Sequence, residues 1–157
     1  MEIGKIKKIS LLERETTFKE VSLGFNEEEA VKEATRCLQC KNASCIKGCP
    51  VNINIPQFIK LIKEKKFKLA LEKIRENSNL PGVCGRVCPQ EELCQQACIL
   101  NKKNMPIKIG YLERFAFDNG GKREVLHIEE KQEKVAVIGS GPAGLTCAAD
   151  LAKRGFD

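Results

Sequence analysis

The sequence has few aromatic residues and no long hydrophobic run. Aromatic side chains make up 5% of the 157 residues and tryptophan is absent, so any hydrophobic core must be aliphatic. No apolar stretch approaches the length of a membrane span, and residues 1–9 alternate lysine with isoleucine instead of forming a signal-peptide core. We therefore expect a cytoplasmic protein that makes no contact with a membrane.

Charge of one sign is not concentrated in any stretch either. The formal net charge is +6, and the basic residues are spread along the chain. They lack the interleaved aromatic residues that accompany a nucleic-acid-binding surface. This composition favours a partner protein with an acidic surface and predicts no nucleic-acid partner.

Cysteine, in contrast, is abundant, and eight of the nine cysteines fall in two blocks. The blocks are Cys37, Cys40, Cys45 and Cys49, the last followed by Pro50, and then Cys84, Cys88 (followed by Pro89), Cys94 and Cys98. In a reducing cytosol such density indicates metal or redox chemistry before disulfides. The only histidine, His127, lies far from both blocks, which excludes a zinc finger with Cys and His ligands.

The spacing of the first block is close to that of bacterial two-cluster ferredoxins, in which the cysteine before proline binds the other cluster. Three closely spaced cysteines can surround three corners of a cubane, while the proline directs the fourth away. Because Cys88 also precedes a proline, the blocks predict two [4Fe–4S] clusters, and on spacing alone Cys84 is the eighth ligand. The alternative is a pair of four-thiolate zinc sites in a zinc-stabilised module that docks a larger subunit.

The remaining pattern predicts a mainly α-helical domain around these blocks. We expect helices over 26–38, with Asn26 as cap, over 56–77 as a hairpin, over 90–100 and over 106–117, with a turn at 77–82. The helix over 90–100 would place Cys94 and Cys98 one turn apart on one face. The predicted parts are an arm (1–25), a helical iron–sulfur domain (26–121), a linker (122–133) and the start of a nucleotide-binding domain (134–157).

A glycine-rich motif opens that last part. Residues 135–138 have the pattern of a short buried strand, and the motif Gly139-x-Gly141-x-x-Gly144 follows before a predicted helix. In this context the motif predicts a dinucleotide fingerprint, with glycines for a tight turn, close pyrophosphate approach and helix–strand packing. The candidate nucleotide-binding residues are Gly139, Ser140, Gly141, Pro142, Ala143 and Gly144.

Only the first half of such a nucleotide site lies within this sequence. The fold needs an acidic residue about 20 residues further on, beyond Asp157. We therefore expect a fragment that holds the first β–α unit of a truncated Rossmann-type domain and binds nucleotide weakly or not at all. The alternative is that the glycines only form a turn. Cys147, in the helix after the motif, is expected to be a small buried apolar residue.

The order of these motifs resembles the N-terminal part of the NADPH-dependent glutamate synthase small (beta) subunit family. The ferredoxin:NADP transhydrogenase large subunit and the dihydropyrimidine dehydrogenase N-terminus are similar. The matching features are Glu33-Ala-x-Arg36-Cys37-x-x-Cys40, Gly48-Cys49-Pro50, Gly85-Arg86-Val87-Cys88-Pro89, the Cys94/Cys98 pair, Pro106-Ile107-x-Ile109 and Val135-Ala-Val-Ile-Gly-Ser-Gly-Pro-Ala-Gly144-Leu145.

The resemblance implies a helical two-cluster domain followed by a flavin domain and an NADPH domain. It assigns one [4Fe–4S] cluster to Cys37, Cys40, Cys45 and Cys98, and the other to Cys49, Cys88, Cys94 and a helix Glu or Gln, which is Glu113 here. Cys84 would then be spare, so the resemblance and the spacing disagree on the eighth ligand. The glycine motif would bind FAD, while NADPH would bind to a domain that this sequence lacks.

The function implied by the resemblance is that of an electron-transfer module in an NADPH-dependent flavin/iron–sulfur oxidoreductase. Electrons would be relayed between FAD and a larger catalytic partner subunit through the two clusters. Glutamate synthase is the leading reaction, and ferredoxin:NADP oxidoreduction or pyrimidine reduction would use the same scaffold. We expect this part of the enzyme to contain no catalytic residue and to have no dehydrogenase turnover by itself.

Overall fold

The computed structural model describes residues 6–122 and 128–157, and these residues form a mainly helical fold, as the sequence predicts. The helices are α1 (Leu11–Thr16), α2 (Glu27–Thr35), α3 (Ser44–Lys47), α4 (Ile55–Lys63), α5 (Phe67–Arg75), α6 (Pro81–Val87), a 3₁₀ helix (Ile99–Lys103), α7 (Ile109–Asn119) and α8 (Pro142–Ala152). Residues 1–5 of the expected arm and 123–127 of the expected linker, with His127, lie outside the described residues. Within the described ranges no helix is long and apolar enough to cross a membrane.

The described part of the arm is more ordered than the expected irregular segment. Strands β1 (Lys7–Lys8) and β2 (Ser22–Gly24) pair antiparallel on either side of α1. Arg114 of α7 joins this arm to the helices, since its guanidinium donates to the Ser22 carbonyl at 2.9 Å and to the Glu20 carboxylate at 2.6 Å. The arm is therefore tied to the helical domain by charge-assisted hydrogen bonds.

Helix α2 begins as predicted, with Asn26 as its cap. The Asn26 side chain accepts from the Glu29 N–H at 2.9 Å, and the Glu29 carboxylate accepts from the Asn26 N–H at 3.0 Å, which is a capping box. The helix ends at Thr35, three residues before the predicted end. Because it ends there, Cys37 and Cys40 lie on non-helical backbone, with Gln39 between them at a φ of 51°.

The helical hairpin predicted over 56–77 is present as α4 and α5, and it supplies the centre of the core. Asn54 caps α4 and Pro56 lies in its first turn, where a missing N–H costs nothing. Apart from two buried phenylalanines, the core residues are aliphatic. They are Ala30, Ala34, Ile53, Ile55, Phe58, Ile59, Ile62, Ala70, Leu71, Ile74, Ile107, Ile109, Leu112, Phe115 and Ala116. Helices α2, α5 and α7 thus enclose α4, and the cysteines lie at the edge of this core.

The predicted helix over 90–100 is wrong. Residues 90–97 form successive turns, and the only regular structure in this stretch begins at Ile99 as a 3₁₀ helix. The side chains of Gln90 and Gln95 are buried and hydrogen-bond each other at 3.2 Å, and the backbone N–H of Gln95 donates to the Gln90 carbonyl. The bond from the Gln95 N–H to the Gln90 carbonyl spans five residues, one more than an α-helical bond does.

A helix is present instead where the sequence analysis predicted a turn and a loop. Helix α6 begins at Pro81 and carries Cys84. Gly82 and Gly85 let it approach α7 closely, because a Cβ on Gly82 would lie 2.5 Å from the Phe117 ring and one on Gly85 would lie 2.7 Å from the Arg114 backbone nitrogen. Helix α7 begins at Ile109, three residues after the predicted start at Pro106, and ends at Asn119.

The C-terminal part agrees only partly with the expected nucleotide-binding unit. Helix α8 follows the glycine motif as predicted, but residues 135–138 form no strand in the described chain. The Val135 N–H donates to the Asp157 carbonyl at 2.9 Å, which is a single backbone hydrogen bond and not the ladder that a strand needs. Cys147 is exposed on α8, so the expectation that it is buried is also wrong.

Candidate metal centres

The structure brings four cysteines together at the end of α2. Cys37 and Cys40 follow that helix, Cys45 lies in α3, and Cys98 precedes the 3₁₀ helix. Burial, and after it the neighbouring thiols of Cys98, Cys37 and Cys40, raise the pKa of Cys45 to about 11. We call Cys37, Cys40, Cys45 and Cys98 the first thiol set.

Hydrogen bonds between separate segments hold the first thiol set in place. The Ser44 hydroxyl donates to the Ala97 carbonyl at 2.5 Å, next to Cys98. On the other side, Arg36 donates to the Met105 carbonyl at 2.7 Å and to the buried Glu33 carboxylate at 2.6 Å. The two cysteine blocks are therefore joined to each other around this set, although they are about 50 residues apart.

The remaining block cysteines meet on the opposite side of the second block. Burial raises the pKa of Cys94 to about 12, with further contributions from the charges of Cys49, Glu113 and Cys88. Burial likewise raises the pKa of Cys88, and the next contributions come from Cys84, Glu113 and Cys49. We call Cys49, Cys88 and Cys94 the second thiol set, with Cys84 and Glu113 beside it.

Close packing at Gly48 explains how Cys49, a cysteine of the first block, comes to lie in the second thiol set. A Cβ on Gly48 would lie 2.7 Å from the Ala97 side chain and 2.9 Å from the Leu93 carbonyl oxygen. Only glycine lets the end of the first block lie this close to the second block, so Cys49 is placed beside Cys94. Cys94 and Cys98, which a helix would have put on one face, face different sets.

Glu113 is the candidate oxygen ligand beside the second thiol set. It lies on α7 with 6% of its surface exposed, and its Oε1 has no hydrogen-bond partner in the part of the chain that the structure describes. Burial raises the pKa of this carboxyl to about 7. A buried carboxylate without a partner is unfavourable, and a positively charged iron would compensate it.

The donor chemistry of both groups fits iron–sulfur clusters. Seven of the eight side chains assigned by the resemblance are thiols, the ligand that [4Fe–4S] clusters use, and the eighth is the unpartnered carboxylate of Glu113. Within residues 6–122 and 128–157, no three Cys, His, Asp or Glu side chains are arranged to hold a single metal ion. Cys84 lies next to the second set without being one of these eight.

The buried side-chain amides of Gln90 and Gln95, which support the second thiol set, were not predicted from the sequence. The Gln90 side chain donates to the Cys84 carbonyl at 3.2 Å, and it fills the space beside Gly110, where a Cβ would lie 1.3 Å from its Oε1. Gly110 is one turn before Glu113, so this amide fits the second block to the helix that carries the carboxylate. The signal in the sequence is a glycine at the start of α7, which helix propensity alone does not explain.

The glycine motif has the close approach that a dinucleotide loop requires. Gly139 has a φ of +107°, and a Cβ on Gly144 would lie 2.1 Å from the Gly139 carbonyl oxygen. Gly141 precedes the first turn of α8, and no atom lies within 4 Å of the position that its Cβ would take. Ser140, Pro142 and Ala143 lie at the same loop and helix start.

Comparison with known protein families identifies the domain. Residues 14–125 match the family model described as dihydropyrimidine dehydrogenase domain II, 4Fe–4S cluster. The chain belongs to this family of 4Fe–4S domains. The family match supports iron–sulfur clusters over the zinc sites that the cysteine spacing left open.

Curated oxidoreductases contain the same domain. The chain is 43% identical over 153 residues to the putative oxidoreductase UacF of Escherichia coli K12, which covers 94% of this chain and 24% of that protein. It is 40% identical over 146 residues to the glutamate synthase [NADPH] small chain of the same organism, and these residues are 90% of this chain and 31% of that protein. It is 43% identical over 141 residues to its NAD-dependent dihydropyrimidine dehydrogenase subunit PreT, or 88% of this chain and 34% of that protein. The chain thus spans between a quarter and about a third of these relatives.

Proposed function

We propose that the chain is the electron-transfer module of an NADPH-dependent flavin/iron–sulfur oxidoreductase. In this proposal, Cys37, Cys40, Cys45 and Cys98 hold one [4Fe–4S] cluster, and Cys49, Cys88, Cys94 and Glu113 hold the other. Bound clusters of this kind accept and release single electrons. The module relays electrons between FAD and a partner subunit.

The exchange of cysteines between the two blocks is the observation that supports this proposal most directly. Cys49 lies with the second set and Cys98 with the first, so neither set is complete without a residue from the other block. A ligand set shared in this way keeps two clusters close together, which electron transfer between them requires. A domain that only needed a stabilising metal could use each block separately.

Aliphatic side chains form part of the lining of the first thiol set. Ile55, Ile59 and Ile109 line the first set together with the exposed Leu38, and Cys94 is buried in the second. Aliphatic walls lower the local dielectric and so help to set the reduction potential of a bound cluster. The buried side-chain amides of Gln90 and Gln95 hydrogen-bond each other and so support the second set.

FAD is the proposed partner of the glycine motif in the parent protein. Gly139 supplies the positive φ and Gly144 the close approach that let a helix N-terminus face a pyrophosphate. The Asn79 side chain donates to the Asp150 carboxylate of α8 at 2.7 Å, so the nucleotide-binding unit contacts the segment between α5 and α6. In this proposal, the contact places the flavin domain beside the second thiol set.

The parent reaction is proposed to be that of a glutamate synthase small subunit, with NADPH as donor and a larger catalytic subunit as partner. The similarity to the glutamate synthase small chain supports this choice. The comparable similarity to PreT supports pyrimidine reduction on the same scaffold, and ferredoxin:NADP oxidoreduction remains the third reaction of this type. The module alone is proposed to have no dehydrogenase turnover.

Anaerobic reconstitution tests the proposed clusters. The chain should bind about eight iron and about eight acid-labile sulfide ions, and dithionite should produce two interacting paramagnetic centres in its EPR spectrum. A colourless protein with stoichiometric zinc after the same treatment would refute the proposal.

Paired substitutions test the two ligand sets separately. Cys45→Ser should lose the first cluster and Cys94→Ser the second, so each variant should retain about four irons and one EPR signal. Cys147→Ser, at an exposed cysteine outside both sets, is the matched control and should retain all iron. Loss of both signals in each single variant, with the helical circular dichroism unchanged, would contradict the division into two sets.

A further inference from the structure

The second group of ligands contains one donor more than a cluster needs. A [4Fe–4S] cluster has four corners, and the group contains three thiols of the second set, the Glu113 carboxylate and the Cys84 thiol. Cys84 is partly exposed on α6. The family-derived assignment leaves this thiol without a role.

Cys84 and Glu113 lie on adjacent helices that are in backbone contact. A Cβ on Gly85, the residue after Cys84, would lie 2.7 Å from the backbone nitrogen of Arg114, the residue after Glu113. The contact brings the segment that carries Cys84 close to the segment that carries Glu113. Consistent with this, burial and then the Glu113 charge raise the pKa of the Cys84 thiol.

Cys84 and Glu113 differ in the groups that surround them. The Ser78 side chain lies beside Cys84, and its Oγ accepts from the Leu80 N–H at 3.3 Å. Across the same site, the Oε1 of Glu113 has no partner in the described chain. The Glu113 Oε1 is therefore the donor that lacks a partner in the described chain, while Cys84 lies beside the Ser78 hydroxyl.

We propose that Cys84 is a reserve ligand of the second cluster, which binds the fourth iron when Glu113 does not. This inference rests on the proposed function, because it requires a cluster at the second set. On exchange the Glu113 oxygen leaves the iron, the Cys84 sulfur binds it, and the thiol proton passes to solvent. No electron is transferred, and the ligand set changes from three thiolates and a carboxylate to four thiolates.

As a consequence, the second cluster would keep its fourth iron even when Glu113, its weakest ligand, dissociates. Thiolate is a softer ligand than carboxylate and binds the iron of a cluster more firmly. Since thiolate also donates more electron density, the exchanged cluster should have a more negative reduction potential. Cys84 would thus protect the labile corner of the second cluster.

Iron content and EPR of Glu113→Ala, Cys84→Ala and two double variants of the reconstituted chain test this inference, and Cys84→Ala alone should retain about eight irons. Glu113→Ala should retain about eight irons, with a changed second EPR signal and a more negative potential. Glu113→Ala combined with Cys84→Ala should lose one iron and show the oxidised signal of a three-iron cluster. Glu113→Ala combined with Cys147→Ala is the matched control, and it should behave as Glu113→Ala alone, because Cys147 is exposed on α8.

Two results would overturn the inference. A three-iron signal in Glu113→Ala alone would mean that Cys84 does not replace the carboxylate. Iron loss in Cys84→Ala alone would mean that Cys84 is the resident ligand. The first cluster's signal reports folding in every variant, and absence of clusters from the unsubstituted chain would instead refute the proposed function.

Discussion

Replacement of Glu33 by alanine is expected to destabilise the domain by about 2–4 kcal/mol. The Glu33 side chain is 3% exposed, and its Oε1 accepts from Arg36 at 2.6 Å and from the Lys108 N–H at 2.9 Å. A hydrogen bond to a charged group is worth about 1.5–3 kcal/mol, and removing one member of a buried ion pair costs about 3–5 kcal/mol. In the variant, Arg36 still donates to the Met105 carbonyl, and its side chain is 19% exposed. We therefore expect a loss of stability smaller than the sum of these two contributions.

Urea unfolding of the iron-loaded chain under anaerobic conditions measures this effect. For a slope of roughly 2 kcal/mol per molar urea, the midpoint of the circular dichroism transition should fall by about 1–2 M. Glu33→Gln retains an oxygen acceptor and should lose less than half as much. Glu28→Ala, at an exposed position in the first turn of the same helix, should change the stability by less than about 1 kcal/mol. Equal midpoints for Glu33→Ala and Glu28→Ala would refute the reasoning.

Three further predictions concern the second thiol set, the glycine motif and the arm. Gly85→Ala should cost about 1–3 kcal/mol in urea unfolding and change only the second cluster's EPR signal, because its Cβ would lie 2.7 Å from the α7 backbone; an unchanged signal would contradict this. Gly144→Val should abolish FAD binding, measured by flavin fluorescence, in a chain with the whole flavin domain, because a Cβ already lies 2.1 Å from the Gly139 oxygen. The hydrogen bond from Arg86 lowers the pKa of Glu20, so this carboxylate favours arm docking above the ordinary glutamate pKa of about 4.3 and ceases to do so as the pH falls through its lowered value. Limited proteolysis at neutral pH should therefore cut the arm faster in Glu20→Gln than in the unsubstituted chain, and equal rates would argue against the ion pairs.

Local signals in the sequence were sufficient for the helices that build the core. Asn26 followed by three glutamates predicted the start of α2, and the capping box accounts for it. The apolar spacing over 56–77 predicted the α4–α5 hairpin, whose buried faces supply nearly half of the core residues. These elements could be predicted because the residues that determine them are neighbours along the helix.

The second block could not be predicted in the same way, because distant contacts decide its conformation. Residues 90–100 have helical spacing, but Gln90 is buried against Gly110 of α7, and the turns that follow separate Cys94 from Cys98. Helix α6 was missed because Pro81 and two glycines read locally as a turn. Those glycines are instead the contact surface that lets α6 approach α7.

The same long-range contacts explain why the assignment of ligands required more than cysteine spacing. Spacing alone selects eight thiols, but the fold places beside the second set both a partly exposed thiol and a buried carboxylate, whose Oε1 has no partner in the described chain. A helix glutamate is ordinarily a solvated charge, and only the approach of α6 to α7 around Gly85 makes Glu113 a candidate for iron. The close contact between α6 and α7 that local secondary-structure prediction missed is therefore also what brings the two candidate ligands, an oxygen and a sulfur, to the second set.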